Sequence, residues 1–296
     1  MALDGYLKGL VFVFCAGIFW STQGLAVRLI EAADAWQILF YRSLALSAFL
    51  AAAIVVRNGK RTLTAIQETG AGGLLGGLSL VFAYAAGIIA IQQTSIASAV
   101  LLFATAPFFA AILGLVLLSE RVRRATWIAM IVALGGIIVM QGGTSSGGQI
   151  AGNLFAMGSA FGFAVFTIVL RWRKQNDMMP TVFLSGIFSV VICGVIISAN
   201  GTGLRISNAD MTIALLMGVF QSGAGLVLYT IGARTVPAVQ LTLLPLVEIV
   251  LAPVWVALVV SEYPSSTVFL GGAVVLLAVF GEASLSIKKS KRATKQ

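Results

Sequence analysis

Ten apolar stretches, each long enough to cross a bilayer, constrain this chain more than any other feature of its sequence. A helix needs roughly 17 to 25 apolar residues to cross about 30 Å of hydrocarbon. The chain of 296 residues is 59% hydrophobic and 10% charged, too few charges for a soluble surface of its size. We therefore predict an all-α integral membrane protein. The ten predicted spans are 8–30, 36–56, 70–91, 96–118, 124–140, 150–171, 180–199, 212–233, 237–260 and 267–286.

One alternative to ten spans remains. The fifth stretch is short, and only Arg234 and Pro237 separate the eighth from the ninth, so nine spans are also compatible with the sequence. The first stretch is too long and too weakly basic at its start for a cleaved signal peptide, so we expect it to be retained. Cys15 and Cys193 lie in separate apolar stretches and the chain has no His, which predicts neither a disulfide framework nor a metal site. We also expect no cofactor.

The basic residues lie almost entirely on one side of the predicted spans. They form short clusters between apolar stretches and give a net charge of +9 without one basic face, so we expect no nucleic-acid partner. With a cytoplasmic N-terminus, sixteen of the 19 Lys and Arg residues are cytoplasmic, and only Arg28 and Arg205 face the other side. We predict a bacterial inner-membrane protein with both termini in the cytoplasm and a basic tail from Lys288 on anionic lipid.

An internal repeat divides the chain into two halves, 1–145 and 146–296. Because five spans is an odd number, the second half is predicted to be inverted relative to the first, an arrangement common in transporters. Chance similarity among Gly-rich apolar segments is the alternative. Gly9, Trp20 and Arg28 recur as Gly152, Phe163 and Arg171 at an offset of 143, and Glu120 recurs as Glu262 at 142.

Several short motifs carry a family resemblance over essentially the whole chain. They are Ala97-Ser98-Ala99, Ala106-Pro107, Leu118-Ser119-Glu120-Arg121, Trp127 and Gly135-Gly136 in the first half, with Glu248-Ile249, Glu262-Tyr263 and Gly271-Gly272 as a looser second copy. Together they resemble the drug/metabolite transporter superfamily in its EamA-type form. Within it, the run 244–255 resembles the branch that exports aromatic amino acids from bacteria.

The resemblance implies a transporter rather than an enzyme. It implies export of small organic metabolites, aromatic or other apolar amino acids among them, by alternating access through a central cavity. A drug or other metabolite exporter would use a similar cavity, while a lipid-group transferase or a structural subunit is a rival from another class. The bilayer and the small-molecule substrate are the expected partners, and the oligomeric state is undetermined.

Polar and aromatic residues at bilayer depth are the candidate substrate-binding residues, because polar groups there are costly and usually face the bundle interior. Helical spacing puts Gln240, Leu244 and Glu248 on one face of the ninth span, and Gln221 and Tyr229 on one face of the eighth. The candidates describe an apolar, aromatic cavity with few hydrogen-bonding groups. They are Trp20, Ser21, Gln23, Ser79, Tyr84, Phe163, Thr167, Gln221, Tyr229, Gln240, Leu244 and Glu248.

Charged residues within or beside the spans have competing interpretations. Glu248 either binds a substrate ammonium, carries a coupling proton, or holds its helix through hydrogen bonds. Arg42 either extends to the membrane interface or binds a substrate carboxylate. Glu120 and Glu262, at equivalent span ends, are expected to cap a following helix or to pair with basic loop residues.

Proline and glycine predict helix shape and packing rather than chemistry. Pro107, Pro245 and Pro253 are candidate kinks around a cavity. Two pairs of glycines four residues apart, which begin at Gly72 and Gly73, predict close helix packing, and no phosphate-binding loop of the P-loop type occurs.

Overall fold

The computed structural model describes residues 3–94, 96–141, 150–173, 177–261 and 265–294, and within these ranges every regular element is helical. Nine helical stretches in the described chain are long and apolar enough to cross a membrane. The fifth predicted span is a shorter apolar helix of 17 residues, Arg124–Met140. The predicted division at 145, Lys174 and Glu262 lie outside the described residues.

Every predicted span corresponds to one helix or to consecutive helical segments. The bounds are Leu3–Ser21 and Gln23–Arg28; Ala35–Asn58; Gly70–Gln93; Ile96–Phe103 and Ala106–Leu118; Arg124–Met140; Ile150–Trp172; Met179–Asn200; Asn208–Leu216, Met217–Ala224 and Gly225–Gly232; Ala238–Leu243, Leu244–Leu246 and Val247–Val260; and Ser266–Thr294. A 3-10 turn, Gly59–Arg61, and a short helix, Thr62–Glu68, follow the second span.

Three spans are irregular in the middle. The fourth breaks between Phe103 and Ala106, and Pro107 lies in the first turn of the segment that follows. The ninth narrows to a 3-10 turn that contains Pro245, whereas Val247–Val260 continues through Pro253. The eighth contains a π-helical segment, Met217–Ala224, which no proline predicts.

Local sequence explains where several spans begin and end. Asp34 starts the second span with a capping box, in which its carboxylate accepts hydrogen bonds from the backbone N–H groups of Trp36 and Gln37 at 2.8 and 2.9 Å. Ser119 and Ser261 end the fourth and ninth spans in the left-handed conformation, with φ of 55° and 60°. These two serines are 142 residues apart, the offset that relates Glu120 to Glu262.

Two packing contacts between spans recur when each span is replaced by its counterpart in the other predicted half, five spans away along the chain. The third span packs on the sixth as the eighth packs on the first, and the third on the seventh as the eighth on the second. Small residues permit these contacts: a Cβ at Gly76 would lie 2.8 Å from Thr181 Cγ2, which confirms the predicted packing role at this glycine. Large apolar side chains such as Leu277, 73% exposed, cover the outer surface, as lipid requires.

The two ends of the helix bundle differ. At one end, here called the open face, the connection after the first span is held by Asp210, whose carboxylate accepts backbone hydrogen bonds from Glu31, Ala32 and Ala33 at 3.1, 3.2 and 3.1 Å. The opposite end, here called the closed face, contains Glu120 and Arg171. The cavities described next extend toward the open face.

Candidate functional site

Two adjoining cavities lie between the spans. The central cavity has a volume of about 190 Å³ and is lined by residues from the first, third, fourth, sixth, eighth and ninth spans. The mouth cavity, of about 280 Å³, extends from it to Val27, Ala35 and Ile91 at the span ends of the open face. The two cavities share the side chains of Gln23, Ala83, Tyr84, Phe103 and Ser159.

Six of the twelve sequence-predicted residues line the central cavity. They come from five different spans, so the cavity exists only in the assembled bundle. These residues are Trp20, Gln23, Tyr84, Phe163, Gln221 and Glu248.

An aromatic wall, formed by Trp20, Phe163 and the ring behind them, Tyr229, closes one side of the central cavity. The ring centroids of Trp20 and Phe163 are 5.8 Å apart in an edge-to-face arrangement. The Tyr229 ring lies 5.3 Å from Trp20 and 5.5 Å from Phe163. Such pairs stabilise each other by about 0.5 to 1.5 kcal/mol beyond area burial, so the wall presents rigid apolar faces to the cavity.

The position of Trp20 depends on two neighbours in the eighth span. Gly225 has no side chain where the Trp20 indole lies, so the indole packs directly on the backbone. Tyr229 is fully buried behind it, and its hydroxyl lies 2.6 Å from the Thr167 hydroxyl, which in turn donates to the carbonyl oxygen of Phe163 at 2.9 Å. Thr167 and Tyr229 therefore support the wall from behind and do not line the cavity.

Side-chain amides form the polar edge of the central cavity. Gln221 donates from Nε2 to Gln23 Oε1 at 3.1 Å, and its own Oε1 accepts from the Ser222 hydroxyl at 2.8 Å. Both Gln221 and Ser222 belong to the π-helical segment, whose wider turn changes which side chains face the first span. The edge can both donate to and accept from a bound molecule.

Glu248 is the carboxylate of the central cavity. It is the second residue of Val247–Val260, the helix that follows the 3-10 turn in the ninth span. Its side chain lines the cavity and makes no hydrogen bond or ion pair with any residue in the described ranges. The hydrogen bonds expected of a purely structural Glu248 are thus missing from the part of the chain that the structure describes.

The other four predicted residues lie elsewhere. Ser21 is buried against the ninth span, where its hydroxyl accepts from Trp255 Nε1 at 2.8 Å. Ser79 donates to the carbonyl oxygen of Gly76 in its own helix, and Leu244 is buried in the core. Gln240 accepts a hydrogen bond from Tyr6 and belongs to a separate polar cluster.

That cluster centres on Glu282, which the sequence prediction overlooked. Its Oε1 accepts hydrogen bonds from Thr126, Gln240 and Ser286 at 2.9, 2.8 and 2.9 Å. The cluster joins the fifth, ninth and tenth spans. It explains Gln240 as a structural residue at a site away from the cavity.

The predicted common face of Gln240, Leu244 and Glu248 is wrong. Helical spacing places residues four apart on one side only while the helix stays regular. The 3-10 turn at Leu244–Leu246 advances by three residues per turn, which rotates Glu248 away from Gln240 and into the cavity.

Several cavity residues were not predicted. Ser159 and Thr242 are polar residues within spans, a signal present in the sequence, and Phe103 precedes the break that Pro107 indicates.

Arg42 lines the mouth cavity with 7% of its surface exposed, which contradicts its extension to the membrane interface. Its position is decided by packing against the third and eighth spans.

The closed face is held by a charge pair that connects both halves of the chain. Arg171, at the end of the sixth span, pairs with the Glu120 carboxylate and donates to the carbonyl oxygen of Ala233 at 3.0 Å. The second carboxylate oxygen of Glu120 accepts from the backbone N–H of Ala238 at 2.9 Å, which caps the ninth span. The predicted pairing of Glu120 with a basic residue is confirmed, although Arg171 lies in the last turn of the sixth span rather than in a loop. Glu120 caps a distant helix rather than the following one.

Most of the chain matches a family of transporters. The EamA-like transporter family matches it twice, over residues 7–141 and 150–281. An uncharacterized transporter of Clostridium kluyveri is 23% identical over 91% of both chains, and the uncharacterized transporter YwfM of Bacillus subtilis is 25% identical over 64% of this chain and 65% of its own. A crystal structure of another protein covers 95% of this chain and 98% of its own with a TM-score of 0.81 at 17% identity, which shows a common fold.

Proposed function

Because the chain belongs to the EamA-like transporter family, we propose that it exports small organic metabolites, with aromatic or other apolar amino acids as its substrates. The observation that carries this proposal is the aromatic wall beside Glu248, a carboxylate with no partner among the residues that the structure describes. A flat apolar side chain stacks on Trp20 and Phe163, while an ammonium group pairs with the Glu248 carboxylate. The protein is then a carrier rather than an enzyme, like the two relatives described as transporters.

We propose that ten spans form two inverted halves that exchange conformations during transport. The exchangeable packing of the spans, the paired left-handed Ser119 and Ser261, and the double match to the family support this arrangement. Trp20 and Phe163, which are equivalent in the repeat, meet at the central cavity. Movement of one half against the other would therefore change the cavity walls directly.

We propose further that the closed face is cytoplasmic and that the cavities open to the periplasm of a bacterial inner membrane. The charge distribution supports this orientation, because the closed-face residues Arg57, Arg171 and Arg234 belong to the basic side of the chain.

Fusion reporters test this topology. We expect a reporter after residue 145 to be periplasmic, and reporters after residue 175 and at the C-terminus to be cytoplasmic, because each added span reverses the side of the chain. Alkaline phosphatase activity reports a periplasmic site, and green fluorescent protein fluorescence of fusions at the same residues reports a cytoplasmic one. A periplasmic C-terminus would require an odd number of spans and would overturn the ten-span arrangement.

Transport into liposomes tests the substrate class. Purified protein in proteoliposomes should take up labelled L-phenylalanine above protein-free liposomes, and Trp20→Ala should weaken the apparent affinity by about 2- to 10-fold through lost stacking alone. Trp172→Ala is the matched control, since Trp172 is 60% exposed and lies outside the central cavity. Saturable transport of amphipathic drugs but not of amino acids would favour the multidrug alternative.

Two results would count against the site rather than the substrate. One is an unchanged affinity in a Trp20→Ala protein that melts at the parent temperature. The other is an equal loss in Trp172→Ala, because that would assign the effect to general destabilisation.

A further inference from the structure

We propose that Arg42 binds the carboxylate of the transported molecule in the mouth cavity, so that the substrates are organic anions or zwitterions with an apolar body. This inference rests on the proposed transport function and adds the group that the substrate must carry. The mouth cavity would then be a second substrate subsite, between the central cavity and the open face.

Arg42 is a buried cation that has no acidic partner among the described residues. Only 7% of its surface is exposed, and no carboxylate within the described ranges lies in salt-bridge distance of it. Its Nε is buried and has no hydrogen-bond partner in the described part of the chain. Burying a charge without a partner costs free energy. An anion that enters the cavity can therefore pair with a guanidinium that has no other counter-ion among the described residues.

The contact that Arg42 does make orients it without neutralising it. Its Cζ lies 4.6 Å from the centroid of the Tyr84 ring, a cation–π contact between the second and third spans. Tyr84 lines both cavities, whereas Arg42 lines only the mouth cavity and Glu248 only the central one. The cation and the carboxylate thus lie in adjoining cavities that share the Tyr84 side chain.

The chemistry of the guanidinium selects the ligand. Its planar donors match the two oxygens of a carboxylate, which makes such pairs short and directional. The remaining residues of the mouth cavity are largely apolar, including Ile38, Leu39 and Ile88, and suit a hydrocarbon body. An ammonium compound without an acid group gains nothing there and is repelled by Arg42.

Four matched probes separate these requirements. Hydrocinnamate has only the carboxylate, L-phenylalanine has both charges, and L-phenylalaninamide and phenethylamine have only the ammonium. We expect the purified parent protein in detergent, titrated with each probe and followed by thermal stabilisation and isothermal calorimetry, to bind hydrocinnamate and L-phenylalanine. We expect the two probes without a carboxylate to bind at least about tenfold more weakly than L-phenylalanine, which has the same ammonium group.

Arg42 variants assign the preference to this residue. Arg42→Gln should weaken hydrocinnamate binding at least about tenfold without lowering the melting temperature, since it removes a buried unpaired charge. Arg42→Lys keeps the charge without the planar donors and should bind hydrocinnamate at intermediate strength. Arg205→Gln is the control, because Arg205 is an exposed charge at the open face. It lies in the connection whose Gly203 and Leu204 carbonyl oxygens accept hydrogen bonds from the second span.

The outcomes separate this proposal from the proposed function. Failure of hydrocinnamate to bind the parent protein, equal binding to Arg42→Gln, or an equal loss in Arg205→Gln would overturn the role of Arg42. Binding of hydrocinnamate without binding or transport of L-phenylalanine would keep the role of Arg42 and overturn the amino-acid substrate. Should Arg42→Gln fail to fold, the comparison of Arg42→Lys with the parent protein decides.

Discussion

Substituting glutamine for Glu248 should weaken the binding of L-phenylalanine by about 10- to 100-fold at every pH, because a charge-assisted hydrogen bond contributes about 1.5 to 3 kcal/mol. Glutamine keeps the shape of the side chain and removes its charge and its proton. The structure offers Glu248 no alternative partner within the described ranges, so its loss should not unfold the protein. Calorimetric titration from pH 5 to 8, with melting temperatures measured in parallel, checks both expectations.

Two comparisons make the Glu248 result specific. Glu31→Gln removes an exposed carboxylate at the open face and should leave affinity unchanged. Hydrocinnamate, which lacks the ammonium, should bind Glu248→Gln as it binds the parent protein. Retained phenylalanine binding with a lost pH dependence of transport would assign Glu248 to proton coupling, and a parent-like rate and pH profile would leave it no role in transport.

Substituting glutamine for Glu120 should open the closed face. The variant leaves Arg171, whose side chain is 8% exposed, as a buried cation without its carboxylate, a loss of about 3 to 5 kcal/mol. Separation of the fourth, sixth and ninth spans at the closed face lets water reach Arg171. We therefore expect the equilibrium between the closed and separated forms of this face to shift toward the separated form by more than about 100-fold relative to the parent protein. A cysteine at Ala233, 1% exposed, in a protein without Cys15 and Cys193, reports the change through its rate of reaction with a maleimide.

The exposed charge pairs on the same face give the control. Asp177 pairs with Arg57 at 3.2 Å and with Arg234 at 3.7 Å, and the two arginine side chains are 50% and 39% exposed. Such pairs contribute about 0 to 1 kcal/mol, so Asp177→Asn should change the labelling rate little. Unchanged labelling of the Ala233→Cys protein together with parent-like transport in Glu120→Gln would show that this carboxylate does not hold the face closed.

Hydropathy predicted the spans because their structure is determined locally. In a bilayer each backbone N–H and C=O group of a spanning helix must find its hydrogen-bond partner within that helix. A sufficiently long apolar stretch therefore forms an α-helix. The predicted 150–171 and the observed Ile150–Trp172 differ by one residue, and the capping box at Asp34 is a local signal of the same kind. The helix after Asn58 was not predicted, because Thr62–Glu68 has no apolar stretch of spanning length.

The cavity was predicted only in part, since polar residues at bilayer depth have more than one way to be satisfied. Gln221 and Gln240 are both glutamines within spans, yet one lines the cavity and the other binds Tyr6 and the Glu282 cluster. Nothing in the local sequence distinguishes these outcomes, because they depend on what the neighbouring helices supply.

The sequence by itself determined that the chain spans the membrane, where its helices lie and which residue types are available for a site, because hydropathy acts on each stretch of the chain separately. Tertiary structure decided which of those residues meet. The π-helical segment aims Gln221 at Gln23, the 3-10 turn aims Glu248 into the cavity, and packing buries Arg42 beside Tyr84. These features depend on contacts between spans that are distant in the sequence, so a local pattern of period 3.6 does not contain them.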